Sequence, residues 1–212
     1  MSFAVTSQIL AALALVFAVF VFGRRLQAFT QLSRPVDFAR PKGSLQTGVL
    51  YAYTLGMAPW SKESTRLHAV AYLRGVAFHV GIFLGLFVLV ASPWFSGVPQ
   101  IVRTLLGICT AIGALFGFLG LVARSVEPNL KALSTRDDYF AVLIVSLFLT
   151  SEAIWLFFPQ AQIFFYLVSA AMLVYAPLGK IRHCIYFAYS RLFYGKFIGS
   201  RAVLPHSQQG TR

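Results

Sequence analysis

Polar and apolar positions along this chain alternate in long blocks rather than residue by residue. Five apolar blocks approach or exceed the roughly 20 residues that a helix needs to cross a bilayer. They run from about Val5 to Phe22, Ala71 to Pro93, Val98 to Ala123, Tyr139 to Phe158, and Ile163 into the Lys180–His183 region. Two further stretches are apolar but do not span. Ser44 to Trp60 is interrupted by Gly48, Gly56 and Pro59 and lies among basic residues, which predicts an interfacial or re-entrant segment. Ile185 to Phe197 interleaves Tyr186, Phe187, Tyr189, Phe193, Tyr194 and Phe197 with Arg191 and Lys196. That mixture predicts an interfacial helix, which can anchor the chain or dock a cytoplasmic subunit. The end, Pro205 to Arg212, is polar and predicted to fray.

The basic residues between blocks set an orientation. Segment 24–67 holds Arg24, Arg25, Arg34, Arg40, Lys42, Lys62 and Arg66, segment 124–138 holds Arg124, Lys131 and Arg136, and the tail holds Arg191, Lys196, Arg201 and Arg212. The alternate loops, near 92–100 and 159–162, hold no Lys or Arg, with Arg103 the one exception nearby. The positive-inside rule then predicts an N-terminus outside and a C-terminus in the cytoplasm. The first block resembles a signal peptide in length. Its positive charges follow the apolar stretch instead of preceding it, which predicts an uncleaved helix.

Composition agrees. Of 212 residues, 58% are hydrophobic and only 11% charged, against about 25% charged in a soluble domain. There are 21 Phe, and the mean hydropathy is +0.74. A soluble domain this small has no interior large enough for that surface. The net charge of +12 would suggest nucleic acid in a soluble protein. Placed between spans, it points instead to anionic lipid headgroups and an extrinsic subunit, and to no nucleic acid. The two cysteines, Cys109 and Cys184, lie in an apolar run and beside a basic edge, so no disulfide is expected. Two cysteines do not hold an iron–sulfur cluster, which would have to belong to another chain. The expected fold is an all-α integral membrane bundle of five spans with interfacial helices. Residues 1–184 form the spanning domain, including loop 24–67, and 185–212 form an interfacial helix and tail.

Ionisable groups within such a chain are candidates for function. His79 lies in the second block and His183 at the end of the fifth, both in the half predicted to face the cytoplasm. Two neutral imidazoles on facing helices can ligate a haem iron, or they can serve as hydrogen-bonded polar residues between helices and at the interface. Arg74, Lys180 and Arg182 can pair with haem propionates or anchor the cytoplasmic face. Gly75, Gly81, Gly85, Gly113, Gly117 and Gly120 let either a macrocycle or another helix approach. Glu152, beside Thr150 and Ser151 in the fourth block, is a candidate proton acceptor for a quinol, or a neutral packing residue. His68 and His206 read as bystanders. Asp137–Asp138 after Ser134 and Thr135 read as an N-terminal cap. No phosphate loop, hydrolase triad or zinc cluster is present in the sequence.

Phe78-His79-Val80-Gly81-Ile82 resembles the haem-ligand motif on the second helix of the respiratory nitrate reductase gamma subunit family. Pro177-Leu178-Gly179-Lys180-Ile181-Arg182-His183 resembles the Pro-x-x-Lys-x-x-His motif that closes that family's fifth helix. The relatives include membrane cytochromes paired with heterodisulfide-reductase-like iron–sulfur proteins. The Trp60–Arg66 approach and the tract of Arg191, Gly195, Gly199 and Arg201-Ala202-Val203-Leu204-Pro205 are similar to theirs. The resemblance covers nearly the whole chain. It implies a haem b with His79 and His183 as axial ligands, a menaquinone or ubiquinone, and a cytoplasmic iron–sulfur partner. At the positions where the nitrate reductase subunit ligates a second haem, this chain has Leu89 and Phe165, so one haem is expected, on the cytoplasmic side. The expected function is electron transfer between the quinone pool and the partner, in the cytoplasmic (inner) membrane. The alternatives are a haem-free membrane anchor and a small transporter, although no internal repeat supports the latter.

Overall fold

The computed structural model describes residues 2–32, 38–61 and 63–204. Arg34, Lys62, His206 and Arg212 lie outside the described residues, as does the Pro205–Arg212 tail. Among the described residues 86% are helical and none lies in a strand. Its helices are α1 (Phe3–Thr30), α2 (Leu45–Tyr53), α3 (Glu63–Leu67), α4 (Ala69–Ala91), α5 (Gln100–Val126), α6 (Pro128–Leu133), α7 (Arg136–Phe157), α8 (Gln162–Tyr175) and α9 (His183–Ser200). Helices α1, α4, α5 and α7 are long and apolar enough to cross a membrane. A fifth crossing results if Pro159–Tyr175 and Lys180–Ser200 are counted as one broken span.

Two of the expected boundaries shift. The first helix does not stop at Arg24 and Arg25 but runs on to Thr30. Arginine is a good helix former, so the apolar stretch ends there while the helix continues. The fifth block is not one helix. α8 ends at Tyr175, because Pro177 has no N–H to continue the hydrogen-bond ladder. The Leu178 and Gly179 N–H groups instead both donate to the Tyr175 carbonyl, at 2.9 and 2.8 Å. A 3-10 turn follows at Lys180–Arg182, and His183 opens α9 rather than closing the fifth helix.

The chain divides into two compact units. The first comprises Met1–Gly23 and Val70–Arg182. Its core runs along α7 and α8, where Phe148, Leu149, Leu156, Phe165 and Glu152 are fully buried. Helix α1 joins through Ser7, Ala11, Ala14 and Ala18, small residues spaced to share one helical face. Helices α4 and α5 meet at glycines. A Cβ added to Gly81 would lie 2.8 Å from Gly113 Cα, and one added to Gly113 2.9 Å from Gly81 Cα. Trp155 and Phe165 stack with centroids 4.7 Å apart, and Phe95 and Tyr166 pack around them. Leu89 and Phe165 are both buried in this core.

The second unit comprises Arg24–Ala69 and His183–Arg212. The loop that sequence reasoning counts with the spans thus forms a compact body with the C-terminal helix. Glycines are the reason. Helices α2 and α9 run antiparallel, with Gly43 and Gly48 against Gly199 and Gly195; a Cβ on Gly195 would lie 2.6 Å from Val49 Cα. Ser44 caps α2 by accepting from the Thr47 N–H. The Lys42 N–H donates to the Ser200 carbonyl at 2.7 Å, and the Tyr53 hydroxyl donates to the Ala188 carbonyl. The last turns of α1 add Phe29, whose ring lies 4.9 Å from that of Tyr186. Among the described residues this unit carries eight Lys and Arg, namely Arg24, Arg25, Arg40, Lys42, Arg66, Arg191, Lys196 and Arg201, against the single acid Glu63. Its basic and aromatic side chains are interleaved, with Arg191 over the Phe187 ring at 5.3 Å.

Candidate functional site

His79 lies mid-way along α4 with an exposed side chain. Its Nδ1 is 2.7 Å from the Gly75 carbonyl oxygen, one turn earlier. A carbonyl only accepts, so Nδ1 carries a proton, and the neutral form of the ring in this tautomer has its lone pair on Nε2. A backbone carbonyl that fixes the tautomer and leaves the other nitrogen outward is the usual support of a metal-ligating imidazole. The face around it is open. A Cβ added to Gly75 would meet nothing within 4 Å, and the same holds for Gly120 on α5. Gly81, Gly85, Gly113 and Gly117 differ, each being packed closely against another helix. The six glycines therefore separate into four that hold helices together and two that border open space.

His183 is the first residue of α9, exposed, and belongs to the second unit, whereas His79 belongs to the first. Arg74 is half-buried on α4. Arg182 is half-buried, and its Nη1 donates to the Leu178 carbonyl at 3.2 Å, within its own turn. Lys180 forms an ion pair with Asp138 at 2.8 Å. Sequence reasoning missed that pairing. The two residues lie far apart in the chain, and the acidic pair reads locally as a helix cap. It is also a cap: the Asp138 carboxylate accepts from the Thr135 N–H at 2.8 Å and from its hydroxyl at 2.7 Å. His68 is exposed in the turn between α3 and α4.

Glu152 is fully buried on α7, and neither carboxyl oxygen has a hydrogen-bond partner. A Cβ on Gly85 would come within 2.7 Å of its Oε2, so only glycine leaves room for the carboxyl there. The hydroxyls of Ser151 and Thr150, which precede it on α7, and of Thr110 on α5 all donate to main-chain carbonyls. Ser151 donates to the Phe148 carbonyl, Thr150 to Ser146, and Thr110 to Leu106 and Gly107. One turn along α7, Trp155 lies under the Arg103 guanidinium at 5.7 Å, and Arg103 Nε and Nη2 are likewise buried without partners. Buried polar groups left unpaired are rare and mark sites of strain, bound water or chemistry. A separate apolar groove of about 730 Å³ runs between α1 and α8, lined by Leu10, Leu13, Phe17, Leu167 and Val174 among others. It has the chemistry of a hydrocarbon chain.

No group of three or more His, Cys, Asp or Glu side chains able to hold a bare metal ion occurs among the described residues. Two imidazoles are a donor set for an iron already held by a macrocycle, which needs only axial ligands. No protein-family profile, no curated protein and no solved structure matches this chain.

Proposed function

We propose that this chain is the haem b subunit of a membrane oxidoreductase complex, passing electrons between a membrane quinone and a cytoplasmic iron–sulfur subunit. His79 and His183 supply the axial ligands, and the bound haem supplies one-electron redox chemistry. The observation that carries the reading is the Nδ1–Gly75 hydrogen bond, which leaves His79 Nε2 as an outward donor beside the open Gly75 face. The two histidine motifs support it from the sequence.

The rest of the chain has roles consistent with that task. Buried Leu89 and Phe165 favour a single haem over two. Glu152 exchanges the proton that accompanies quinol oxidation or quinone reduction, its unpaired carboxyl being the one acid buried among the described residues. Arg74 and Arg182 are the nearest cations in sequence for haem propionates. The basic, aromatic second unit lies at the cytoplasmic interface, against anionic lipid and the partner subunit, with five spans placing the N-terminus outside.

The test is spectroscopic. Substituting His79 or His183 by Leu abolishes the b-type absorbance of the purified protein, whereas substituting His68 or His206 preserves it. Retention of the full signal in His79→Leu would overturn that ligand assignment, and a wild-type protein without b-type absorbance would leave a haem-free anchor as the better account.

A further inference from the structure

The turn between α8 and α9 is short, yet it is held from outside at two points. Tyr175 is the first. Its hydroxyl donates to the Asp137 carboxylate, its ring meets that of Phe140 edge-on at 4.8 Å, and Gly179 lies directly against its other atoms. A side chain at position 179 would collide with that ring. Lys180 is the second, paired to Asp138 at 2.8 Å. The Asp138 carboxylate is itself fixed by Thr135 through two hydrogen bonds. The same oxygen, Oδ2, accepts from Thr135 N–H, Thr135 hydroxyl and Lys180, so the lysine is tied to a rigid helix start rather than to a mobile side chain. Every one of these residues belongs to the first unit, which ends at Arg182; the next residue is His183.

We propose that Asp137, Asp138, Tyr175 and Lys180 form a clamp that fixes the turn into His183, and that Lys180 is a positioning residue of this clamp rather than a contact to haem propionates. The inference rests on the assignment of His183 as a haem ligand. A cation contacting a propionate acts through its own charge at its own position. A cation in a clamp acts through its partner, so its charge can be exchanged with that partner's.

Charge exchange is therefore the experiment, on the full-length chain purified with its haem. Lys180→Asp and Asp138→Lys are made singly and together, with Tyr175→Phe as a milder variant that removes the hydroxyl and its bonds to Asp137 and to the Lys180 main chain. Haem content per chain, midpoint potential and the anisotropy of the low-spin electron paramagnetic resonance signal are read on each. The Lys180 side chain is 46% exposed, which keeps the expected effect modest. Each single change lowers haem affinity about two- to fivefold and shifts the anisotropy, Tyr175→Phe shifts it in the same direction, and the double variant recovers both relative to Asp138→Lys, with which it shares the loss of the acceptor for Thr135. A double variant as defective as Asp138→Lys alone, or single variants with wild-type spectra, would overturn the clamp while leaving the haem assignment intact. A wild-type protein without haem would overturn the assignment itself, and the clamp's purpose with it.

Discussion

The contact between α4 and α5 offers a packing prediction with its own control on the same helix. At Gly81 an added Cβ would lie 2.8 Å from Gly113 Cα, where ordinary contact begins at 3.4 Å. Gly81→Ala therefore drives the two backbones apart by about 0.6 Å to reach ordinary contact, the difference of those distances. Both sides of the contact are main chain, so no flexible side chain can yield. The shift also loosens the contact of this pair with Leu149, which lies 3.5 Å from the added Cβ. Overpacking of this kind costs about 1–3 kcal/mol. Gly75→Ala makes the same chemical change two turns earlier, where nothing lies within 4 Å. Both substitutions carry the same helix-propensity gain of up to about 1 kcal/mol, which cancels in the comparison. The expected gap of about 1–3 kcal/mol separates the two thermal midpoints by roughly 2–12 °C for a chain of this size. Thermal unfolding in one detergent, both variants in the same lipid ratio, measures it. Equal midpoints, or a more stable Gly81→Ala, would refute the backbone contact.

Other expectations follow from the same structure. Gly75→Leu folds with a wild-type midpoint, since the position is open, but lowers haem content by intruding on the His79 face; unchanged haem content would count against that face as the binding surface. Glu152→Met keeps the volume and removes two unpaired buried oxygens, so it raises stability by about 1–3 kcal/mol while slowing quinol-dependent haem reduction; a destabilised variant would show that the carboxyl has partners. Gly179→Ala lowers stability by about 1–3 kcal/mol, read by thermal unfolding, because the Tyr175 ring is held in place by Phe140 and Asp137; an unaltered midpoint would mean that the ring moves freely. Gly48→Leu separates α2 from α9 and exposes the 38–61 segment to protease, and unchanged proteolysis would deny that the glycines hold the second unit together.

The sequence was most informative where physics acts locally. Apolar length marked the helices at Phe3–Thr30, Ala69–Ala91, Gln100–Val126 and Arg136–Phe157, because a span needs nothing beyond its own composition. The acidic cap at Asp137–Asp138 was legible for the same reason. The fifth block was harder. Its hydropathy stays high through Pro177, and a hydropathy window does not register a missing N–H, so the end of α8 at Tyr175 escaped it. Long-range partners were not legible at all. Nothing near Lys180 announces Asp138, and nothing in loop 24–67 announces that Gly43 and Gly48 pack on Gly195 and Gly199. The glycines on α4 and α5 were read as either cofactor-facing or helix-facing, and only three-dimensional neighbours divide them, four to packing and two to open space. At the candidate site, the residue types were visible in sequence, but the tautomer of His79 was not, since it depends on a backbone carbonyl at hydrogen-bonding distance.

The central claim is that one b-type haem belongs to this chain. The most direct measurement is a pyridine haemochrome spectrum on the purified full-length protein, quantified against amino-acid analysis. One haem b per chain is the predicted result. A preparation with no haemochrome band, made with haem supplied during expression, would contradict the claim, and two haems per chain would contradict the reading of Leu89 and Phe165 as core.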